Sequence, residues 1–92
     1  MIRSFASRDT EELFNGGSPR RFRSFRAQAE RKLQMLDSAN DLNDLRVPPG
    51  NRLEKLAGER RGQYSIRVND QWRICFRWRH DGPWDVEIAD YH

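Results

Sequence analysis

From Tyr64 to Ala89 apolar and polar residues alternate with a period of two, and no other feature restricts the fold of this chain as tightly. Tyr64, Ile66 and Val68 alternate with Ser65 and Arg67, and Asn69-Asp70 supplies a hairpin turn. Trp72, Ile74, Phe76 and Trp78 then alternate with Arg73, Cys75, Arg77 and Arg79 up to a His80-Asp81-Gly82-Pro83 turn. Trp84, Val86 and Ile88 continue the pattern against Asp85, Glu87 and Ala89. Successive strand side chains point to opposite faces, so the pattern predicts an antiparallel sheet with one apolar face. The opposite, open face carries Arg67, Arg73, Arg77 and Arg79. Asp85 and Glu87 are expected to pair with arginines across strands, a structural use that fits Arg77 and Arg79 best.

Before Gly50 the periodicity is helical. Ile2 to Phe5 reads as a short first strand, and Asp9 as the cap of a helix through Phe14 that Gly16-Gly17 stops. Ser18 and Pro19 then read as N-cap and first residue of a second helix. Along it Phe22, Phe25, Ala29, Leu33 and Leu36 recur every three or four positions as a buried stripe, with Arg20, Arg21, Arg23, Arg26, Arg31 and Lys32 on the solvated remainder. Pro48-Pro49-Gly50 is expected to end regular structure before the strands. Helices first and hairpin-linked strands after them predict an α+β fold, with N-terminal helices packed on one face of a small antiparallel β-sheet. Ninety-two residues hold one modest core, hence a single domain over residues 1–92. Only 36% of the residues are apolar, so that core depends on its five Phe, three Trp and two Tyr.

Charge points to the partner. Of 17 basic residues, 15 are arginine, whose planar fork of donors matches phosphate oxygens and stacks on bases. The stretch from Arg46 to Arg79 holds nine basic and three acidic residues, whereas His80 to His92 holds four acids and no Lys or Arg. Arg52, Lys55, Arg60, Arg61 and Arg67 in that basic stretch are the expected RNA contacts. Cys75 is the single cysteine and forms no internal disulfide, and no apolar run approaches the ~20 residues of a membrane span. The start has no long apolar run of a secretory signal, so a reducing cytoplasm is the expected location and no membrane partner is expected.

No metal-ligand spacing and no phosphate-cradling glycine loop is present, so neither metal nor cofactor is expected. Cys75 reads as a semi-buried packing residue rather than a nucleophile. What fits the remaining residue types is metal-free phosphodiester cleavage. That chemistry needs a base for a 2′-hydroxyl, cations for the phosphorane and an acid for the leaving 5′-oxygen. Arg73 and Arg67 on the open face and the closing Asp90-Tyr91-His92 supply these types. A non-catalytic RNA-binding or ribosome-binding module, and a stand-alone protein-interaction domain, stand beside the nuclease reading. The first predicts salt-sensitive RNA binding that survives loss of His92, the second no RNA affinity.

Met1-Ile2-Arg3-Ser4-Phe5, Gly62-Gln63-Tyr64-Ser65-Ile66, the run Asn69-Asp70-Gln71-Trp72-Arg73-Ile74-Cys75-Phe76 and the final Asp90-Tyr91-His92 together resemble HigB-like toxins of the RelE superfamily, also called plasmid-maintenance killer proteins. Pro48-Pro49-Gly50-Asn51-Arg52-Leu53-Glu54 resembles the GraT-type subgroup. The resemblance implies the RelE-like microbial RNase fold and cleavage of mRNA in the ribosomal A site, in contact with rRNA, so that growth stops. It also implies a cognate HigA-like helix-turn-helix antitoxin, in a heterotetramer of two toxins and two antitoxins that binds operator DNA through the antitoxin. By position, Arg73 would stabilise the scissile phosphate, His92 would transfer a proton, Tyr91 would stack on a base, and Asp90 would hold the tail or orient His92. Many relatives carry histidine where this chain has Glu54 and lysine where it has Ala57, which leaves Glu54 as the substitute general base and predicts slow cleavage. A Glu54→His, Ala57→Lys variant is therefore expected to cut ribosome-bound mRNA faster than the parent in a purified translation reaction; equal rates would remove the idea of a weakened site.

Overall fold

The computed structural model describes residues 1–90. Helix α1 spans Arg8–Phe14 and α2 spans Arg26–Ser38; the strands are β1 Glu54–Lys55, β2 Tyr64–Arg67, β3 Trp72–Arg79 and β4 Gly82–Asp90. They form one antiparallel sheet in the order β1-β2-β3-β4. The expected α+β arrangement, with helices against one sheet face, is what the chain adopts. The predicted stripe is buried throughout, and Phe22, Ala29, Leu33 and Leu36 pack with Leu13 onto Ile66, Ile74, Phe76, Val86 and Ile88. Among the described residues no helix is long and apolar enough to cross a membrane.

Several local expectations change. The cap of α1 is Ser7, not Asp9: its hydroxyl accepts the Thr10 N–H at 3.2 Å, and Asp9 instead adds negative charge to the first turn. Ser18 caps nothing. Pro19 precedes a 3-10 segment, Arg20–Phe25, and the α-helix proper starts only at Arg26. The tighter winding eclipses residues three apart, which sets Phe22 edge-on to the Trp72 indole at 5.7 Å and stacks Phe25 on it at 5.2 Å. Pro48-Pro49-Gly50 does not end regular structure, since Pro49–Asn51 is itself a short 3-10 turn and β1 follows it.

The largest departure lies in β4. The sheet register slips between Cys75 and Arg77, so that Arg77 faces Trp84 while Cys75 faces Glu87. Asp85, in the left-handed region at φ 53°, is the inserted residue. Strict alternation put Trp84 on the apolar face; the bulge moves it to the arginine face, where the Arg79 guanidinium lies 4.8 Å above its ring. The Asp85 carboxylate meets Arg77 Nε at 3.5 Å, one of the expected cross-strand pairs. The predicted first strand is reduced to an isolated bridge. Residues 3–6 bond alongside β4 through Arg3 N–H to Pro83 O, Val86 N–H to Ser4 O and Ala6 N–H to Val86 O, yet the only bridge among the described residues is the parallel one of Phe5 with Val86.

Beyond that bridge the β4 edge is capped by a side chain. Thr10, fully buried on α1, accepts the Ile88 N–H through Oγ1 at 3.0 Å. Valine has the same shape without the acceptor, and a buried amide left unsatisfied costs about 1–3 kcal/mol. Thr10→Val is expected to lower the unfolding free energy by that amount in urea titrations, with an unchanged slope; a loss under about 0.5 kcal/mol would mean that the bond contributes nothing net.

Candidate active site on the arginine face

Sheet register assembles this face from all four strands. Glu54 pairs with Ser65, Ser65 with Cys75 and Cys75 with Glu87, giving one row across the sheet. The next row is Arg67, Arg73 and Ala89. Paired residues share a face, so Glu54, Ser65, Arg67, Arg73, Cys75 and Glu87 all lie opposite the helices.

This face is not open, as the alternation had suggested. The chain after β1 turns back over it, tied by Leu56 N–H to Gln63 O at 2.9 Å, and Leu56 packs on Cys75 and Ala89 as a second small apolar cluster. Cys75 is therefore fully buried rather than semi-buried, and Arg73 is only 9% exposed. Removing a guanidinium from water is costly unless its donors are used. Here Nε donates to Ser65 Oγ at 2.7 Å, and Nη2 donates to Arg52 O at 2.6 Å and to Ser65 O at 3.4 Å. The Glu54 carboxylate stands 4.0 Å from Nη2 but is half exposed, so its ion pair contributes about 0–1 kcal/mol at most. Hydrogen bonds from a charged donor are stronger, about 1.5–3 kcal/mol. Ser65 and the Arg52 carbonyl hold Arg73; Glu54 is the accessible carboxylate beside it. None of these bonds uses Nη1.

Arg52 itself is exposed and left-handed, at φ 46° and ψ 57°, which costs a residue with a Cβ roughly 1–2 kcal/mol. The fold offsets this by directing the Arg52 carbonyl at Arg73. Arg60 covers the other end of the row, with Nη1 3.2 Å from Glu87 Oε1 and 3.1 Å from Gln63 Oε1. Glu87 thus pairs with Arg60 rather than with a strand arginine. Arg67 turns away from Arg73 and pairs with Asp70 at the β2–β3 turn. Lys55 and Arg61 are exposed at the edge.

Of the residues singled out from the sequence, Glu54, Arg73, Arg67, Arg52, Arg60 and Arg61 thus share one side of the molecule or its edge, whereas Lys55 pairs with Tyr64, in the row of Phe76, and by register belongs to the helix-facing side. Asp90 does not join Arg73. It is paired with Trp72 and therefore lies on the helix-facing side, where it accepts from Gln71 Nε2 at 3.0 Å. Tyr91 and His92 lie outside the described residues. Sequence reading missed Ser65 and the Arg52 carbonyl, and it gave Glu87 a strand arginine where the partner is Arg60. Ser65 had one legible signal, a small hydroxyl on the arginine face where a long side chain would exclude the guanidinium. A left-handed arginine has none.

Comparison with known proteins places the chain. The family described as the RelE-like toxin of the type II toxin-antitoxin system HigB matches residues 3–92. Toxin HigB-1 of Vibrio cholerae is 56% identical over 48 residues, 52% of this chain and 50% of that protein. Endoribonuclease HigB of Proteus vulgaris is 33% identical over 61 residues, 66% of this chain and 65% of that protein. The match therefore spans about half to two thirds of the length of these curated relatives. In structure, the chain resembles one from the YoeB-YefM complex of Staphylococcus aureus with a TM-score of 0.60, covering 100% of this chain and 98% of that one at 18% identity. The likeness establishes a shared fold.

Burial pushes the Cys75 thiol up, with Glu87 adding to the rise and Arg60 and Arg73 opposing it. The folded protein holds the proton more tightly than the unfolded chain, whose thiol ionises near pH ~8.5. Stability is accordingly expected to fall as pH rises through that value, an effect that Cys75→Ala removes. Iodoacetamide at pH 8.5 should label Cys75 at least about 100-fold more slowly in the native protein than in urea; rapid native labelling would restore Cys75 as a nucleophile.

Proposed function

The chain belongs to the HigB-like family of RelE-like toxins of type II toxin-antitoxin systems, and from that premise we propose that it is an endoribonuclease that cuts mRNA on the ribosome without a metal or a cofactor. The observation that carries this reading is the fixed Arg73 guanidinium beside an accessible carboxylate, 4.0 Å from Glu54, on a face rimmed by Arg52, Arg60 and Arg61. The name of the Proteus vulgaris relative, an endoribonuclease, supports the same chemistry.

In the proposed reaction the 2′-hydroxyl oxygen attacks the adjacent phosphorus and its proton passes to a base. The bond to the 5′-oxygen then breaks, and that oxygen takes a proton from an acid. The products are a 2′,3′-cyclic phosphate and a 5′-hydroxyl end. Arg73 presents Nη1 to the phosphoryl oxygens, where charge grows in the transition state. Glu54 and His92 share the two proton transfers, Tyr91 stacks on the base next to the cut, and Asp90, tied to Gln71, anchors the tail. Arg52, Lys55, Arg60, Arg61 and Arg67 contact the phosphate backbone of the mRNA and of rRNA around the A site. The partner that silences the toxin is a HigA-like helix-turn-helix antitoxin, two copies with two toxins, which carries the complex to operator DNA. That the fold matches a chain of a two-protein complex supports a protein partner.

Induced expression with mapping of mRNA 5′ ends tests this directly. Wild type is expected to arrest growth and to create new 5′ ends within translated messages. Arg73→Ala should lower cleavage by about 10²–10³, and a chain lacking His92 by about 10²–10⁴. Growth arrest without new 5′ ends would sink the nuclease mechanism in favour of a non-catalytic ribosome-binding module.

A further inference from the structure

The carbonyl that fixes Arg73 belongs to Arg52, and the residue before it is the most completely enclosed polar group of this part of the chain. Asn51 is fully buried in a loop that otherwise faces solvent. Its Nδ2 donates to Leu45 O at 3.1 Å and touches Met35 Sδ at 3.0 Å, while its Oδ1 accepts from Lys32 Nζ at 2.5 Å. Its own N–H donates to Pro48 O, and that of Arg52 to Pro49 O. Both ends of the carboxamide are occupied, which anchors the backbone at Asn51 directly before Arg52. From that anchor Arg52 carries its own carbonyl to 2.6 Å from Arg73 Nη2.

Lys32 lies on α2, on the other side of the sheet from the arginine face, and plays no part in the site described above. Burial, then the charges of Arg31 and Arg67, hold its ammonium below the ordinary lysine range. The bond to Asn51 offsets that unfavourable setting. Two hydrogen bonds, joined by the backbone of Asn51 and Arg52, therefore connect Lys32 in the helix layer to the guanidinium of Arg73.

We infer that Lys32 and Asn51 are positioning residues for Arg73: through the Arg52 carbonyl they set the angle at which the guanidinium meets the scissile phosphate. The inference rests on the nuclease reading above. Neither residue touches RNA. Loosening the carbonyl shifts the guanidinium by less than a side-chain length, which leaves ground-state attraction to a phosphate intact but weakens the contact made in the transition state. A misplacement of 1 Å is enough to cost about 10²-fold in rate. The effect therefore belongs to kcat rather than to KM.

Single-turnover cleavage of mRNA on purified ribosomes, with wild type, Lys32→Met, Lys32→Arg, Asn51→Asp and Arg73→Lys, tests it. Lys32→Met and Asn51→Asp are expected to lose roughly tenfold or more in the cleavage rate constant, within the range for a misplaced group, with half-saturating ribosome concentration changed by no more than about twofold. Lys32→Arg, which still donates to Oδ1, should restore most of the rate. In an Arg73→Lys background Lys32→Met should cost nothing further, because the group it positions is gone. The Arg73 Nε–Hε resonance supplies a readout independent of cleavage, and should shift and exchange faster in Lys32→Met while the backbone amide spectrum stays native. Losses that multiply in the double variant, a loss in KM alone, or an unmoved Arg73 resonance would overturn the inference. If wild type and Arg73→Lys are equally inactive, the nuclease reading has failed and takes the inference with it. An active wild type with an equally active Lys32→Met defeats the inference alone.

Discussion

A guanidinium that is nine-tenths out of water must have its donors satisfied by the fold, and much of the geometry of this protein follows from that requirement at Arg73. Ser65 has to be small and hydroxylated, β2 and β3 have to keep the register that sets Ser65 diagonal to Arg73, and the chain before β1 has to bring a carbonyl within reach. The last condition explains why Arg52 accepts a left-handed backbone. A strained residue with no packing role of its own is hard to rationalise locally; it makes sense as the far half of a bond to a buried cation.

The second organising element is the Asp85 bulge. It divides β4 into a part that obeys the alternation toward its C-terminal end and a part that reverses it. Toward that end, Val86 and Ile88 complete the helix-facing core. On the other side of the bulge, Trp84 moves to the arginine face and gives Arg79 an aromatic surface, while Asp85 takes Arg77. Both of those arginines are thereby engaged in the sheet itself. The arginines of the face thus fall into two groups: Arg77 and Arg79 at the β3–β4 turn are structural, and Arg73 with Arg60 adjoins the carboxylates Glu54 and Glu87.

What the sequence revealed follows from which signals are periodic. The helical stripe from Phe22 to Leu36 and the alternation in β2 and β3 were legible because burial acts on every second or every third to fourth residue. Ser7 in place of Asp9, and the 3-10 turns at Arg20 and Pro49, were not legible, since caps and tight turns depend on single bonds and on which aromatic they meet. A two-residue strand at Glu54 has no period at all. The bulge defeated the alternation because one inserted residue flips everything beyond it. Arg73 was legible from the alternation and Glu54 from the resemblance, and the structure supplies the reason they are neighbours. Of the partners of Arg73, the Arg52 carbonyl was invisible because no side-chain pattern announces a backbone acceptor.

The alignment of residues 3–6 with β4 carries a consequence for how the molecule comes into being. Ser4 and Asp85 are 81 positions apart, and Thr10 and Ile88 are separated by 78. Contacts of such separation form late, because closing a long loop costs entropy before any burial offsets it. The fourth strand supplies Val86 and Ile88 to the core and Glu87 and Ala89 to the arginine face. A chain still lacking that strand has neither a closed core nor a complete site. The helix-facing core and the face around Arg73 are therefore completed together, in a single late step.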